Sequence, residues 1–223
     1  MTYIIYGARG SGSVPVEAAM TLLDLPYSVV EGATWEQDPA VLARVEAVNP
    51  LKQIPALVLP DGEILTESAA MLIWLADRHP QSCLSPGLDD PRRAAFLRWM
   101  TFIPASIYSL YWVRDDPSRL VADPVQQSMV KQATADRIAD CWAMMESQVR
   151  PGRYLLGDEM TVLDLYVTVV SRWGPRRTSF YRRAPAMGEV VRRVDADPRL
   201  AAFWAQRFPF EPGWEGESPK SQA

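Results

Sequence analysis

Every run that reads as a β-strand lies in the first 65 positions of this 223-residue chain, and none follows the stretch 80–91. That asymmetry excludes one sheet running the length of the molecule. It leaves a small mixed α/β unit followed by an all-helical one, and the length suits two modest cores better than one. Residues 2–6 are β-branched and aromatic, and the run stops at Gly7. Residues 27–31 form a second strand-like run. Residues 54–59 form a third that contains Pro55. Proline cannot donate to a sheet ladder, so it belongs at a strand start, an edge or a bulge. Asp61-Gly62 signals a hairpin turn, with 63–65 as the return strand. Between these, 14–23 and 39–48 have helical composition, the second ending before the turn-forming Asn49-Pro50. Residues 66–78 repeat apolar Ala69, Leu72, Ile73 and Ala76 with a period near 3.6. The order is βαβαββα, a mixed sheet with helices packed on it.

The stretch 80–90 is rich in Pro, Gly, Ser and Asp and reads as a linker between a domain at 1–79 and a helical domain at 91–210. Long helices are expected over 92–113 and 124–149, with shorter ones near 162–173, 186–195 and 198–206. A tail over 211–223 is expected to fray.

Charge and composition remove several classes of function. A net charge of −4 gives no bulk electrostatic reason to bind nucleic acid or an anionic membrane. Arg172, Arg176, Arg177, Arg182 and Arg183 cluster in sequence and read as a solvated face or loop. Cys83 and Cys141 are far apart and sit in no CxxC pair, so a disulfide framework and a zinc site are both disfavoured. His79 precedes Pro80 at a helix end and reads as a structural terminus. No apolar stretch approaches the roughly 20 residues that span a bilayer. The opening MTYIIYG has no basic segment and reads as a strand rather than a signal peptide, so a cytoplasmic location is the default.

Two segments are more specific. Asn49-Pro50-Leu51-Lys52-Gln53-Ile54-Pro55-Ala56-Leu57 precedes Thr66-Glu67-Ser68-Ala69-Ala70, and Gly157-Asp158-Glu159-Met160-Thr161-Val162-Leu163-Asp164 lies in the second half. These resemble the cytosolic glutathione transferase family: its NP-x-x-Q-V-P-x-L segment, its E-S pair, and its G-x-x-x-T-x-A-D helix start, with Leu163 in place of the usual small residue. The resemblance extends over 3–208. It implies an N-terminal thioredoxin-like glutathione-binding domain, an all-α C-terminal domain, glutathione as co-substrate without a metal, a small-molecule electrophile and a homodimer.

For the site, the resemblance implies that Ile54–Pro55 is cis and that the Ile54 backbone pairs with the cysteinyl backbone of glutathione, beside Gln53. It also implies that Glu67 and Ser68 hold the γ-glutamyl ammonium and carboxylate. The physics agrees, because a helix N-terminus offers free N–H groups and positive potential to an anion. Thr66 or Ser68 also reads as a plain helix cap. Thr161 and Asp164 form a capping-box pair, with Met160 and Leu165 spaced as a hydrophobic staple, and these concern folding.

A free thiol has a pKa of ~8.5, so activation requires a group that stabilises the thiolate. In the family a hydroxyl or thiol after the first strand does this. The loop here offers Ser11 first, Ser13 second and, just before it, Tyr6 third; Ser13 also reads as an ordinary N-cap. Aligning on Pro15 puts Ser11 at the position where many bacterial members carry cysteine, whereas counting back from Leu25-Pro26-Tyr27 puts Gly12 there. The chain thus resembles a serine-type or tyrosine-type member, suited to conjugation, isomerisation or peroxide reduction. Tyr108, Tyr111, Trp112 and Arg114 are candidates to line the electrophile pocket, although aromatic residues at helical spacing also fit a core. A non-catalytic binding or assembly module on the same fold is the competing reading.

Overall fold

The computed structural model describes residues 2–173 and 177–210. The first part contains β1 (Tyr3–Gly7), α1 (Val14–Leu22), β2 (Tyr27–Glu31), α2 (Pro39–Glu46), β3 (Ala56–Val58), β4 (Ile64–Thr66) and α3 (Ser68–Arg78). The strands lie in the order β2-β1-β3-β4, with β1 parallel to β2 and antiparallel to β3, and β3 antiparallel to β4. This is the βαβαββα arrangement of a thioredoxin-like unit.

Gly7 does not break β1 but forms its last rung, opposite Glu31. A side chain there would overlap that of Ser13, so glycine lets the start of α1 close onto the strand. β3 begins at Ala56, immediately after Pro55, where a missing donor costs the ladder nothing. α3 starts at Ser68 rather than 66, because Thr66 stays in β4 opposite Ala56. Of the expected apolar face Ala69, Leu72 and Ala76 are buried and Ile73 is only partly covered, while Met71 and Leu75 are fully buried beside them. The cause is that α3 is flanked by both α1 and α7, so its apolar stripe is wider than one face.

The second part contains α4 (Arg93–Ile103), a π-helical turn (Pro104–Tyr108), α5 (Ser109–Asp115), α6 (Pro124–Val149), α7 (Val162–Val170), α8 (Thr178–Arg183), α9 (Pro185–Asp195) and α10 (Ala201–Arg207). Past β4, the described residues contain a single isolated bridge, Tyr154 to Gly157, and no strand. The expected helix over 92–113 is interrupted by the π turn, which starts at Pro104, a residue with no N–H to give. α8 is not evident in the sequence; it is short and anchors Phe180 edge-on against Trp142, with ring centroids 5.1 Å apart.

All of α7 is buried, and it packs against α1, α3, α4 and α9, which joins the two parts in one core. Its capping box forms as the sequence implies, with the Asp164 carboxylate taking N–H groups from Thr161 at 2.7 Å and Leu155 at 2.8 Å. His79 closes α3, donating its N–H to Ala76 and accepting the Ser82 hydroxyl at 2.7 Å.

The arginine cluster is a solvated face only in part. Arg177 is buried, ion-paired with Asp195 and bonded to the Thr168 carbonyl at 2.6 Å. Arg172 is buried over the Phe208 ring, 3.5 Å from its centroid, and burial, with Arg177 beside it, pushes its pKa down to about 9. Arg182 and Arg183 are exposed, and Arg176 and the tail 211–223 lie outside the described residues. Among the described residues no helix is long and apolar enough to cross a membrane.

Candidate functional site

Strand register brings the separate sequence segments to one end of the sheet. Tyr6 in β1 pairs with Ala56 in β3, and Ala56 pairs with Thr66 in β4. The loop 8–13 leaving β1, the Ile54–Pro55 dipeptide entering β3, and Glu67 leaving β4 therefore share that end. α1 and α3 also begin there, so two helix N-termini add positive potential.

The Ile54–Pro55 peptide bond is cis. Pro55 is buried, Ile54 half-buried and Gln53 exposed. Asn49, itself buried, organises the approach: its amide donates to the Gln53 carbonyl at 2.9 Å and its carbonyl oxygen accepts the Leu51 N–H at 3.1 Å. The loop that presents Ile54 is thus braced from beneath.

Glu67 has φ +65°, a conformation uncommon for a residue with a side chain. It occupies the N-cap of α3 without capping it, and neither Thr66 nor Ser68 caps the helix. Ser68 instead shares a 3.0 Å hydrogen bond with the Tyr166 hydroxyl of α7. The first N–H groups of α3 are therefore without a side-chain cap, as an anion-binding terminus requires.

In the loop, Ser11 retains 8% exposure while Ser13 has none. Ser13 does not cap α1; its hydroxyl donates to Glu17 Oε1 at 2.6 Å. Glu17 is fully buried and is held by Arg207 of α10 at 2.6 Å. Ser11 Oγ accepts N–H groups from Ala8 and Ser13, each at 3.2 Å, and lies 3.0 Å from Ser13 Oγ. Tyr6 is elsewhere. Alternation along β1 puts it on the face opposite Gly7 and hence opposite Ser13.

The four residues of the second part separate. Tyr108 is half-buried and reaches the loop at Gly12. Tyr111 is buried and donates to the Trp173 carbonyl at 2.9 Å. Trp112 is 46% exposed at the surface, with its ring under Arg119. Arg114 lines a cavity of about 220 Å³ with Tyr111, Asp136, Trp142, Trp173 and Arg177.

Residues not singled out from the sequence complete the arrangement. Trp173 donates its ring N–H to the Gly10 carbonyl at 2.7 Å and stands edge-on to Tyr108, 4.4 Å between centroids. Tyr166 and Tyr108 both have raised pKa values, chiefly through burial, and Glu67 raises each further. They are hydroxyl donors rather than phenolates. Tyr166 and Glu17 did leave a signal, since each is a polar group inside an apolar helical run and such groups need partners.

Two family models match the chain: the glutathione S-transferase N-terminal domain over residues 13–78 and the glutathione S-transferase C-terminal domain over 120–207. The chain belongs to the glutathione S-transferase family. Among its relatives is the uncharacterized GST-like protein YncG of Escherichia coli, 29% identical over 88% of this chain and 94% of that protein. The maleylacetoacetate isomerase of Pseudomonas aeruginosa is 33% identical over 42% of each chain. A glutathione transferase homologue from Sulfitobacter, solved with bound glutathione, has a TM-score of 0.78 at 26% identity, covering 91% of this chain and 96% of that one. Membership accounts for the mixed sheet followed by helices, and for the gathering of the N-terminal motifs at one end of the sheet.

Proposed function

We propose that the protein binds glutathione at the shared end of its sheet and activates the thiol for attack on a small electrophile. The observation that carries this reading is the register Tyr6–Ala56–Thr66, which brings three separate segments within reach of one tripeptide. In it the Ile54 backbone, flanked by Gln53 and Pro55, pairs with the cysteinyl backbone. The uncapped start of α3 and Ser68 take the γ-glutamyl carboxylate, and Glu67 takes the ammonium. The sulfur then lies by the loop 8–13, where Ser11 is more accessible than Ser13 and Tyr6 faces away.

The reaction is conjugation, isomerisation or peroxide reduction by the bound thiolate. The likeness to a maleylacetoacetate isomerase supports including an isomerisation among the assays. The reading also includes a homodimer, the commonest closed assembly, and a cytoplasmic location. A monomer in sedimentation at micromolar concentration contradicts the dimer.

Calorimetric titration with glutathione is the primary test. The wild type binds and Glu67→Ala binds at least tenfold more weakly, as expected for a lost charged contact. No binding by the wild type sinks the reading, and an unchanged affinity in Glu67→Ala sinks that assignment. Binding without turnover of any electrophile, peroxide or disulfide marks a non-catalytic module instead.

A further inference from the structure

Gly12 has no side chain, yet the place where one would project is filled. A Cβ built on Gly12 overlaps the Tyr108 hydroxyl and lies 3.0 Å from its Cζ and 3.2 Å from its Cε1. The phenol tip thus enters the N-terminal loop at a position that one alignment of the motifs gives to the thiol-activating residue. Tyr108 ends the π turn Pro104–Tyr108, and such turns concentrate at functional sites. Trp173 holds it there, packing edge-on against the Tyr108 ring while donating its own N–H to Gly10 of the same loop.

The loop serines are committed by comparison. Ser13 has one proton, and the 2.6 Å bond to the Arg207-paired Glu17 claims it. The 3.0 Å contact between the serine oxygens is then made with the Ser11 proton. Ser11 Oγ also accepts two backbone N–H groups. Turning the Ser11 hydroxyl toward a ligand breaks a bond already made. The Tyr108 hydroxyl has no hydrogen-bond partner among the described residues and is not sealed from solvent.

We propose that Tyr108, rather than a loop serine, is the principal hydrogen-bond donor to the glutathione sulfur, supplying from the helical domain the hydroxyl that Gly12 lacks. This rests on the glutathione-binding reading above. On binding, the thiol proton leaves to solvent, the sulfur keeps the electron pair, and Tyr108 retains its own proton while donating one hydrogen bond. An ordinary phenol titrates near 10, above a thiol at ~8.5. Burial and the Glu67 carboxylate hold Tyr108 higher still, so it stays a donor wherever the thiolate exists. Gly12 is then required for space, since any larger residue displaces the hydroxyl.

The test is a pH titration of thiolate absorbance at saturating glutathione in the wild type, Tyr108→Phe and Ser11→Ala, with calorimetry on each. Tyr108→Phe raises the bound-thiol pKa by about one to two units, the shift expected when one charge-assisted hydrogen bond is lost. The double variant Gly12→Ser with Tyr108→Ala moves that pKa back toward the wild-type value, because it returns a hydroxyl to the same volume. An unchanged thiol pKa in Tyr108→Phe, or a shift in Ser11→Ala alone, overturns the proposal while glutathione binding stands. A wild type that binds no glutathione overturns both readings, and one that binds it without lowering the thiol pKa overturns this one.

Discussion

Arg207 and Glu17 lie 190 positions apart and form a buried two-point pair, Nε to Oε2 at 2.6 Å and Nη2 to Oε1 at 3.1 Å. Arg207 also reaches Glu31 at 2.7 Å, and its carbonyl accepts the Gly10 N–H at 3.0 Å. One residue of α10 therefore ties together α1, the end of β2 and the loop 8–13. Removing one partner of such a pair leaves a buried charge uncompensated, so Arg207→Ala should cost about 3–5 kcal/mol. Replacing both with methionine should cost less than the two single changes summed. Urea denaturation of the single and double variants measures this, and strict additivity would show that the pair is not coupled.

Ser13→Ala tests the next link of the same network. The Ser13 hydroxyl is a donor to a buried carboxylate, so its removal should lower stability by about 1.5–3 kcal/mol. Ser13 then acts on the thiol only through the loop. A Ser13→Ala protein of wild-type stability with a severely raised bound-thiol pKa would reverse this division of roles.

Much of this arrangement was legible in the chain before its structure, for identifiable reasons. The βαβαββα order follows from local signals: β-branched runs, the Asp61-Gly62 turn and the stop at Asn49-Pro50. The E-S and proline motifs are contiguous, so their residues could be named. What stayed hidden depends on distant partners. The arginines at 172 and 177 look solvated in sequence and are buried, because Asp195 and the rings of Phe208 and Phe210 meet them from elsewhere in the chain. The approach of Tyr108 to Gly12 joins residues from different domains, and no local signal in the sequence marks it. Ser13 looked like an N-cap because a cap is a local inference, whereas its real partner, Glu17, is set by Arg207.

Ser68 and Tyr166 share a hydrogen bond across the two parts of the molecule. If Ser68 holds the γ-glutamyl carboxylate, Tyr166 orients its hydroxyl. Tyr166→Phe should then weaken glutathione binding by about 1 kcal/mol, roughly fivefold. A double-mutant cycle with Ser68→Ala should give a coupling of about 0.5–1.5 kcal/mol in binding. Zero coupling would mean that the bond serves folding alone.

Asp164 gives the pH prediction. Its carboxylate accepts the Thr161 N–H and hydroxyl at 2.7 and 2.8 Å and the Leu155 N–H at 2.8 Å. Complete burial outweighs these hydrogen bonds and pushes its pKa up to about 6. In the unfolded chain an aspartate titrates near ~3.9. Between these values the folded form binds the proton more fully than the unfolded form, so stability falls as pH rises. The contribution is fully present below about pH 4 and is lost as pH passes through about 6, a change of about 3 kcal/mol from a shift of roughly two units. Asp164→Asn cannot titrate and should lack this slope, while being destabilised by the clash of its NH₂ with donors that need an acceptor. Denaturation midpoints at several pH values from 4 to 7 compare the two proteins. Parallel pH profiles would mean that the hydrogen bonds, not burial, control Asp164, and that its carboxylate is ionised throughout the range.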